Sequence, residues 1–471
     1  MAESSIPISE QLKVYDNIIG TIGKTPLVRL KNLEGENSCP VYAKIEFFNP
    51  GGSVKDRIGL NIINDAEEAG KLKPGGIVVE ATSGNTGVGL AIVCALKGYK
   101  CVFVMPDKMS QEKIQLLRAF GGKVIITPTA VAPEDPRSYY KVAARLVKET
   151  PNSILANQYH NPQNPISHFQ TTGPEIWEQT QGKVTDVVIG MGTGGTISGV
   201  GKFLKEKNPD IQIVGVDATG SILQEIWENK GEVPAGVEAV TYKVEGIGED
   251  FLPTTTDLSV IDKIIRVTDK ESFLATRRLV REEGIFAGGS SGSAVAAALT
   301  YAQTLPEDRL VVVLLPDTGA RYLSKVFDDK WMRENGYLDT EWGEATLLDV
   351  LSQRGSQEVI CANSGDGMDE VIALMKQNDI SQVPVLAEDG SLAGMVNEVD
   401  LLKHMLETDN EQAGDDSVES IMHEKPPSFS SQTRLDEIMP VIVERNVVIV
   451  QDGNQLVGIL SKIDVLDFIS R

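Results

Sequence analysis

The stretch that decides the fold is Ile77-Val78-Val79-Glu80-Ala81-Thr82-Ser83-Gly84-Asn85-Thr86-Gly87, which runs on into a helix-spaced apolar segment ending at Lys97. The first five residues form a short β-branched run of strand length, and residues 86–97 carry a helical pattern. A loop of small polar residues and glycines joins them. Strand, tight loop and helix make up the repeating unit of an α/β body. Outward from this stretch the unit recurs. Strands are expected at 41–47, 101–105, 123–127, 187–190, 211–217 and 310–315, and helices at 56–69, 112–120 and 271–283. Over the first 340 residues this predicts helices packed around a mostly parallel sheet.

Beyond Asp317 the pattern changes, and residues 330–340 read as a polar and aromatic connector. An internal repeat follows. Gly394-Met-Val-Asn397-Glu-Val-Asp400 returns 64 residues later as Gly458-Ile-Leu-Ser461-Lys-Ile-Asp464, and Asp369-Glu370-Val371 is matched by Asp436-Glu437-Ile438. Two copies of a small α/β unit are expected, each ending in strand, turn and helix. The chain of 471 residues is therefore divided into 1–335, a linker at 336–344, a first repeat at 345–408 and a second at 414–471. Charge follows the same division. Residues 341–471 hold 25 acidic and 8 basic side chains, a balance of −17, out of −23 for the whole chain.

Such an acidic surface lacks the basic footprint that nucleic acid requires, so that partner is not expected. No apolar segment is long enough to span a bilayer, and residues 1–20 lack the pattern of a secretory signal. Cys39, Cys94, Cys101 and Cys361 are scattered, which suggests neither a disulfide framework nor a zinc ribbon. His160, His168, His404 and His423 fall in unrelated contexts, so no metal is expected. The expected compartment is the cytoplasm.

Four loops carry chemistry. In Asn49-Pro50-Gly51-Gly52-Ser53-Val54-Lys55-Asp56-Arg57, an amine at the first turn of a helix meets the positive end of the dipole. Burial lowers its pKa further, and such a lysine can form a Schiff base. In isolation the same lysine reads as a solvated surface residue. The loop of residues 82–87 brings hydroxyls and N–H groups together at a helix start, a pocket for carboxylate or phosphate; in isolation it is an N-cap with a turn. Gly190-Met191-Gly192-Thr193-Gly194-Gly195-Thr196 satisfies G-x-G-x-x-G, with Asp217 closing the next strand. A dinucleotide site and a phosphate cradle for a smaller cofactor both fit it. Gly288-Gly289-Ser290-Ser291-Gly292-Ser293 opens another helix and leaves the same choice.

Together with Thr25-Pro26-Leu27-Val28-Arg29-Leu30, these four loops resemble the signatures of pyridoxal-phosphate enzymes of the tryptophan-synthase β-subunit fold (fold type II), in the cysteine synthase and cystathionine β-synthase branch. The resemblance covers about residues 12–335, and the C-terminal repeat resembles tandem CBS (Bateman) modules. It implies Lys55 as the Schiff-base lysine, Asn85 at the cofactor's phenolic oxygen, Gly192, Thr193, Gly194, Gly195 and Thr196 around the phosphate, and Ser290 at the pyridine nitrogen. Thr82, Ser83, Thr86 and Gln158 match positions that hold the amino-acid carboxylate. A serine opposite the ring nitrogen does not enforce a pyridinium, which suits β-elimination over transamination.

The activity implied is a lyase-type β-replacement through an aminoacrylate, joining L-serine to L-homocysteine as L-cystathionine with loss of water. The alternative is a cysteine synthase (O-acetylserine sulfhydrylase) with a regulatory module, and a catalytically dead ligand sensor is a third reading. A homodimer or homotetramer is implied. Two departures stand out. The stretch before Lys55 lacks the histidine of haem-binding relatives, so haem is not expected, and Glu249 stands where animal and fungal relatives usually have tyrosine. In the repeat, Ser461 with Asp464, and Asn397 with Asp400, match positions for an adenosyl ligand whose ribose a carboxylate can accept. The charge of −17 favours the sulfonium of S-adenosylmethionine over ATP.

Overall fold

A computed structural model describes residues 14–35, 38–82, 84–107, 109, 111–128, 131, 135–338, 345–353, 359–407, 416–453 and 455–470. The chain divides into two compact units, Met1–Leu338 and Asp339–Arg471.

The first unit holds two sheets. Their strands are β1 (Leu27–Arg29), β2 (Val41–Ile45), β3 (Ile77–Ala81), β4 (Lys100–Pro106), β5 (Lys123–Thr127), β6 (Ser153–Leu155), β7 (Asp186–Gly190), β8 (Gln212–Ala218), β9 (Lys263–Val267) and β10 (Val311–Leu315). One sheet has the order β1-β2-β10-β7-β8-β9 and the other β5-β4-β3-β6. Only β1 runs antiparallel to its neighbour. Helices cover parallel strands on both faces, so these strands read as unbroken apolar runs. Every residue of β10 is buried, and each such side chain contributes about 1.5–3 kcal/mol on leaving water.

Two differences from the sequence reading have local causes. The strand expected at 41–47 stops at Ile45, and Glu46–Phe48 turns as a 3-10 helix, because the Glu46 carboxylate is drawn inward to Arg57 and Thr25. The helix Lys55–Glu68 approaches the helix Asn85–Lys97 so closely that a Cβ at Gly59 would lie 2.5 Å from the Gly89 carbonyl carbon. Glycine is the residue that permits this crossing.

Beyond the last strand, the Tyr337 ring meets Phe273 at 5.0 Å and its hydroxyl donates to Asp269, so residues 336–338, read from sequence as linker, pack with the first unit. In the second unit each repeat builds a three-stranded sheet, Ala362–Asn363 with Gln382–Leu386 and Leu392–Asn397, then Ser428–Phe429 with Val447–Asp452 and Gln455–Ser461. The repeats exchange their leading segments. Leu347 and Val350 of the helix Leu347–Gln353 join the core of the second repeat, and Val418 joins the core of the first.

Candidate active site

Parallel strands send their C-terminal loops to one edge of each sheet, the usual place for a ligand in α/β folds. Loops after β2, β7 and β10 belong to the six-stranded sheet, and loops after β3 and β6 to the four-stranded one. They meet around a cavity of about 770 Å³ lined by Lys55, Thr82, Asn85, Thr86, Gln158 and Thr193, with Glu249 and Tyr159 also on its wall.

Lys55 is the first residue of its helix, and its N–H donates to Ser53 Oγ at 3.2 Å. Burial lowers its amine to about 8, against the opposing attraction of Glu249 and Asp317. The turn before it is held by Asp56, which accepts from Gly51 N–H and is itself pushed up to about 7 by burial. Arg57 anchors the same turn from beneath. It pairs with Glu46 and Glu175, each at 2.7 Å, and Lys44 meets Glu175 at 2.6 Å. Ionised pairs that satisfy one another in this way can be buried together.

On the opposite wall, Thr86 Oγ1 donates to Gln158 Oε1 at 2.5 Å. What the Gln158 amide can offer an anion is therefore its Nε2 hydrogens. Glu80, pushed up to about 7 by burial, accepts from the N–H groups of Asn157 and Gln158 and so fixes the loop that carries Gln158. Asn85 Nδ2 donates to Asp317 Oδ2 at 2.8 Å, and Tyr322 OH donates to the same oxygen at 2.6 Å. Ser83 lies outside the described residues.

Gly192, Gly194, Gly195, Thr196 and Ser290 stand behind the cavity wall rather than among its lining residues. A Cβ on Gly192 would lie 2.7 Å from the Gly246 carbonyl oxygen, Gly194 has φ +76°, and side chains at Gly194 and Gly195 would run into Thr256 and Asn164. The loop therefore presents backbone N–H groups at the start of the helix Gly195–Lys207, an anion cradle without side chains in the way. Thr256 Oγ1 is buried beside Gly194 without a hydrogen-bond partner. The Ser290 hydroxyl, also buried, lies 3.7 Å from where a Cβ on Gly246 would stand. A phosphate at the loop and a ring nitrogen at Ser290 fit this donor set, as pyridoxal phosphate requires.

The dinucleotide alternative does not fit. Asp217 is buried, accepts from the N–H groups of Ala218 and Gln224, and is turned into its own loop instead of toward a ribose. His168 is engaged by Thr172 and Thr196, and burial with nearby Arg57 lowers it well below its ordinary value. Among the described residues no group of three or more His, Cys, Asp or Glu is placed to hold a metal ion.

In the second unit, Asp464 Oδ2 accepts from Ser461 N–H and Oγ, closing a capping box on the helix Lys462–Ile469. Asn397 and Asp400 cap the helix Glu398–Glu407 in the same reciprocal way, and Asp400 Oδ1 also meets His423 Nε2 at 2.8 Å. The paired motif thus has a structural role in both repeats.

Asp317, Glu80 and Tyr159 were not singled out by motif. Asp317 has a sequence signal, the first polar residue after the buried strand β10, with only Pro316 between them. Glu80 has one as well, as the only acid within an apolar strand.

Residues 18–317 match the model of the family described as pyridoxal-phosphate dependent enzyme, and 351–407 and 418–471 match the CBS domain. A relative from Apis mellifera named cystathionine beta-synthase is 40% identical over 472 residues, covering 98% of this chain and 92% of that one. A Staphylococcus aureus cysteine synthase is 46% identical over 321 residues, 67% of this chain and 99% of its own. The crystal structure of an O-ureido-L-serine synthase aligns with a TM-score of 0.62 at 38% identity, covering 68% of this chain and 99% of that one. The chain belongs to the pyridoxal-phosphate dependent enzymes, in the cystathionine beta-synthase group that carries paired CBS domains.

Proposed function

We propose that the chain condenses L-serine with L-homocysteine, forming L-cystathionine and water. The observation that carries this reading is one cavity that brings the Lys55 amine, lowered to about 8, together with the hydroxyl and amide donors of Thr82, Thr86 and Gln158. The Apis mellifera relative, similar over nearly the whole chain and named for this reaction, supports it.

Lys55 would hold the cofactor through Nζ, with Asn85 at its phenolic oxygen, Ser290 at its ring nitrogen, and Gly192, Thr193, Gly194, Gly195 and Thr196 around its phosphate. Bound there, pyridoxal phosphate supplies an electron sink that acidifies the α-hydrogen of an amino acid. Thr82, Ser83, Thr86 and Gln158 hold the substrate carboxylate, which orients that hydrogen toward the Lys55 amine. With a pKa near neutrality, the amine can take the proton and later return it.

The Staphylococcus aureus cysteine synthase, at 46% identity over the catalytic unit, supports O-acetylserine and sulfide as the second reading. Steady-state rates with serine and with O-acetylserine, each against homocysteine and sulfide, decide between the two. Highest kcat/KM for serine with homocysteine is expected; a preference for O-acetylserine with sulfide would favour the second reading.

The same proposal places the protein in the cytoplasm as a homodimer or homotetramer. Its four cysteines are free, as a reducing compartment would keep them. Regulation by S-adenosylmethionine at Asn397, Asp400, Ser461 and Asp464 completes it, since a capping carboxylate beside a hydroxyl can also accept from ribose.

A further inference from the structure

Glu249 is an acid on the cavity wall with no part in holding cofactor or carboxylate. It lies on the loop Glu245-Gly246-Ile247-Gly248-Glu249-Asp250, which lines the same cavity as Lys55. Its backbone is pinned. Glu249 N–H donates to Ser221 Oγ at 3.0 Å, its carbonyl accepts from Ser221 Oγ and from Ile222 N–H at 3.1 Å each, and Gly248 N–H donates to Met191 O at 2.6 Å. Gly248 has φ +76°, and a Cβ there would strike Tyr242 and Ser221, so the loop position is tightly fixed.

The side chain forms no ion pair among the described residues, and the Tyr159 hydroxyl is its hydrogen-bond neighbour. The groups facing it are Asp250, Asp217, Lys55 and the phenols of Tyr139, Tyr140, Tyr159 and Tyr242. Those four phenols are raised by burial and by Glu249 and keep their protons. Lys55 is the one cation in the set. Burial and then Asp250 push the Glu249 carboxyl up to about 8, so it carries a proton at neutral pH.

A cavity with a buried acid and a buried amine can hold two protons in separate places. The geometry points to Glu249 as the proton donor to the serine hydroxyl, an inference that rests on the serine reading above. Hydroxide is a poor leaving group, whereas the acetate of O-acetylserine departs without a proton. As the Cβ–O bond of serine breaks, its electron pair stays on oxygen, the Glu249 proton completes a water molecule, and Glu249 is left as carboxylate. As the S–Cβ bond then forms, that carboxylate takes the S–H proton of the incoming thiol and the acid is restored. The α-proton travels separately, to Lys55 and back.

The test is steady-state kinetics on the holoenzyme with homocysteine as acceptor, comparing serine with O-acetylserine in the wild type, Glu249→Gln and Glu249→Asp. Glu249→Gln is expected to lower kcat for serine about a hundredfold or more, the usual worth of a positioned acid. The ratio of O-acetylserine to serine turnover should rise at least tenfold, and Glu249→Asp should recover part of the serine rate. Equal losses with both donors, or no loss with serine, overturn the assignment.

A second readout does not depend on turnover. The infrared difference between wild type and Glu249→Gln should contain a protonated-carboxyl band at pH 7 that fades with a midpoint near 8, and its absence overturns the assignment. If the wild type turns over O-acetylserine but not serine, the underlying reading fails and the assignment with it. If the wild type uses serine and the ratio does not move, the assignment alone fails.

Discussion

Asn85 Nδ2 donates to Asp317 Oδ2 at 2.8 Å, and this bond ties the loop after the four-stranded sheet to the loop after the six-stranded one. Asp317 is buried and also accepts from Tyr322, so Asp317→Ala strands two donors. Each unsatisfied donor costs about 1–3 kcal/mol. The melting temperature is expected to fall, and the visible absorption of the bound cofactor should shift as Asn85 loses its orientation. A lower melting temperature with an unshifted band would leave Asp317 a stabilising role only.

The Lys55 amine makes the stability of the cofactor-free protein depend on pH. Its folded value of about 8 lies below the ordinary 10.5, so between these limits the unfolded chain binds more protons than the fold. Stability from this group therefore rises with pH across that window, by at most about 3 kcal/mol. Lys55→Met should abolish turnover and flatten this part of the profile. Urea midpoints at a series of pH values, compared between wild type and variant, measure it, and identical slopes would refute it.

Beneath the Lys55 turn, Glu46→Ala leaves the Arg57 guanidinium buried with one remaining carboxylate, Glu175, beside the neutral Thr25 hydroxyl. Removing one member of a buried pair costs about 3–5 kcal/mol. Replacing both by apolar residues, Glu46→Leu with Arg57→Met, should recover part of that loss. Denaturant unfolding of the three variants checks the order; a double variant weaker than Glu46→Ala would contradict it.

In the second unit, Asp464→Ala removes the acceptor of a capping box, at about 0.5–2 kcal/mol of local stability. S-adenosylmethionine should raise the melting temperature of the intact protein, because a ligand that binds only the folded state stabilises it. The rise should shrink in both Asp464→Ala and Asp400→Ala. An undiminished rise would move the ligand elsewhere, and no rise at millimolar ligand would remove it.

The parallel strands and the loops after them were legible because each is an apolar run followed by glycines and a helical pattern. β5 (Lys123–Thr127) has the same bounds in sequence and structure. β6 was not legible, since three residues cannot display a period, nor was β9, whose Lys263 and Arg266 break the apolar run. In the candidate site, Lys55, Thr82, Asn85, Thr86 and Thr193 announce themselves by motif and Gln158 through the family resemblance alone, and all six come together around one cavity. Their supports do not. Asp317 is 232 residues from Asn85, and Glu80 reaches a loop 77 residues away. The first pairing arises from the meeting of two sheets and the second from β3 and β6 lying side by side in one sheet, so neither contact can be read from residues near in sequence. The exchange of leading segments between the repeats was hidden for the same reason.

The roles proposed above would also divide the labour of a turnover between the two sheets. Lys55, Gly192, Gly194, Gly195, Thr196 and Ser290 ride on the six-stranded sheet, while Thr82, Thr86 and Gln158 ride on the four-stranded one. On these roles one half of the unit would supply most of the cofactor contacts, with Asn85 reaching in from the other half, which would receive each passing amino acid. Under those roles, substrate specificity can change by substitution at Thr82, Thr86 or Gln158 in the loops after β3 and β6, provided that Asn85 and its bond to Asp317 are kept.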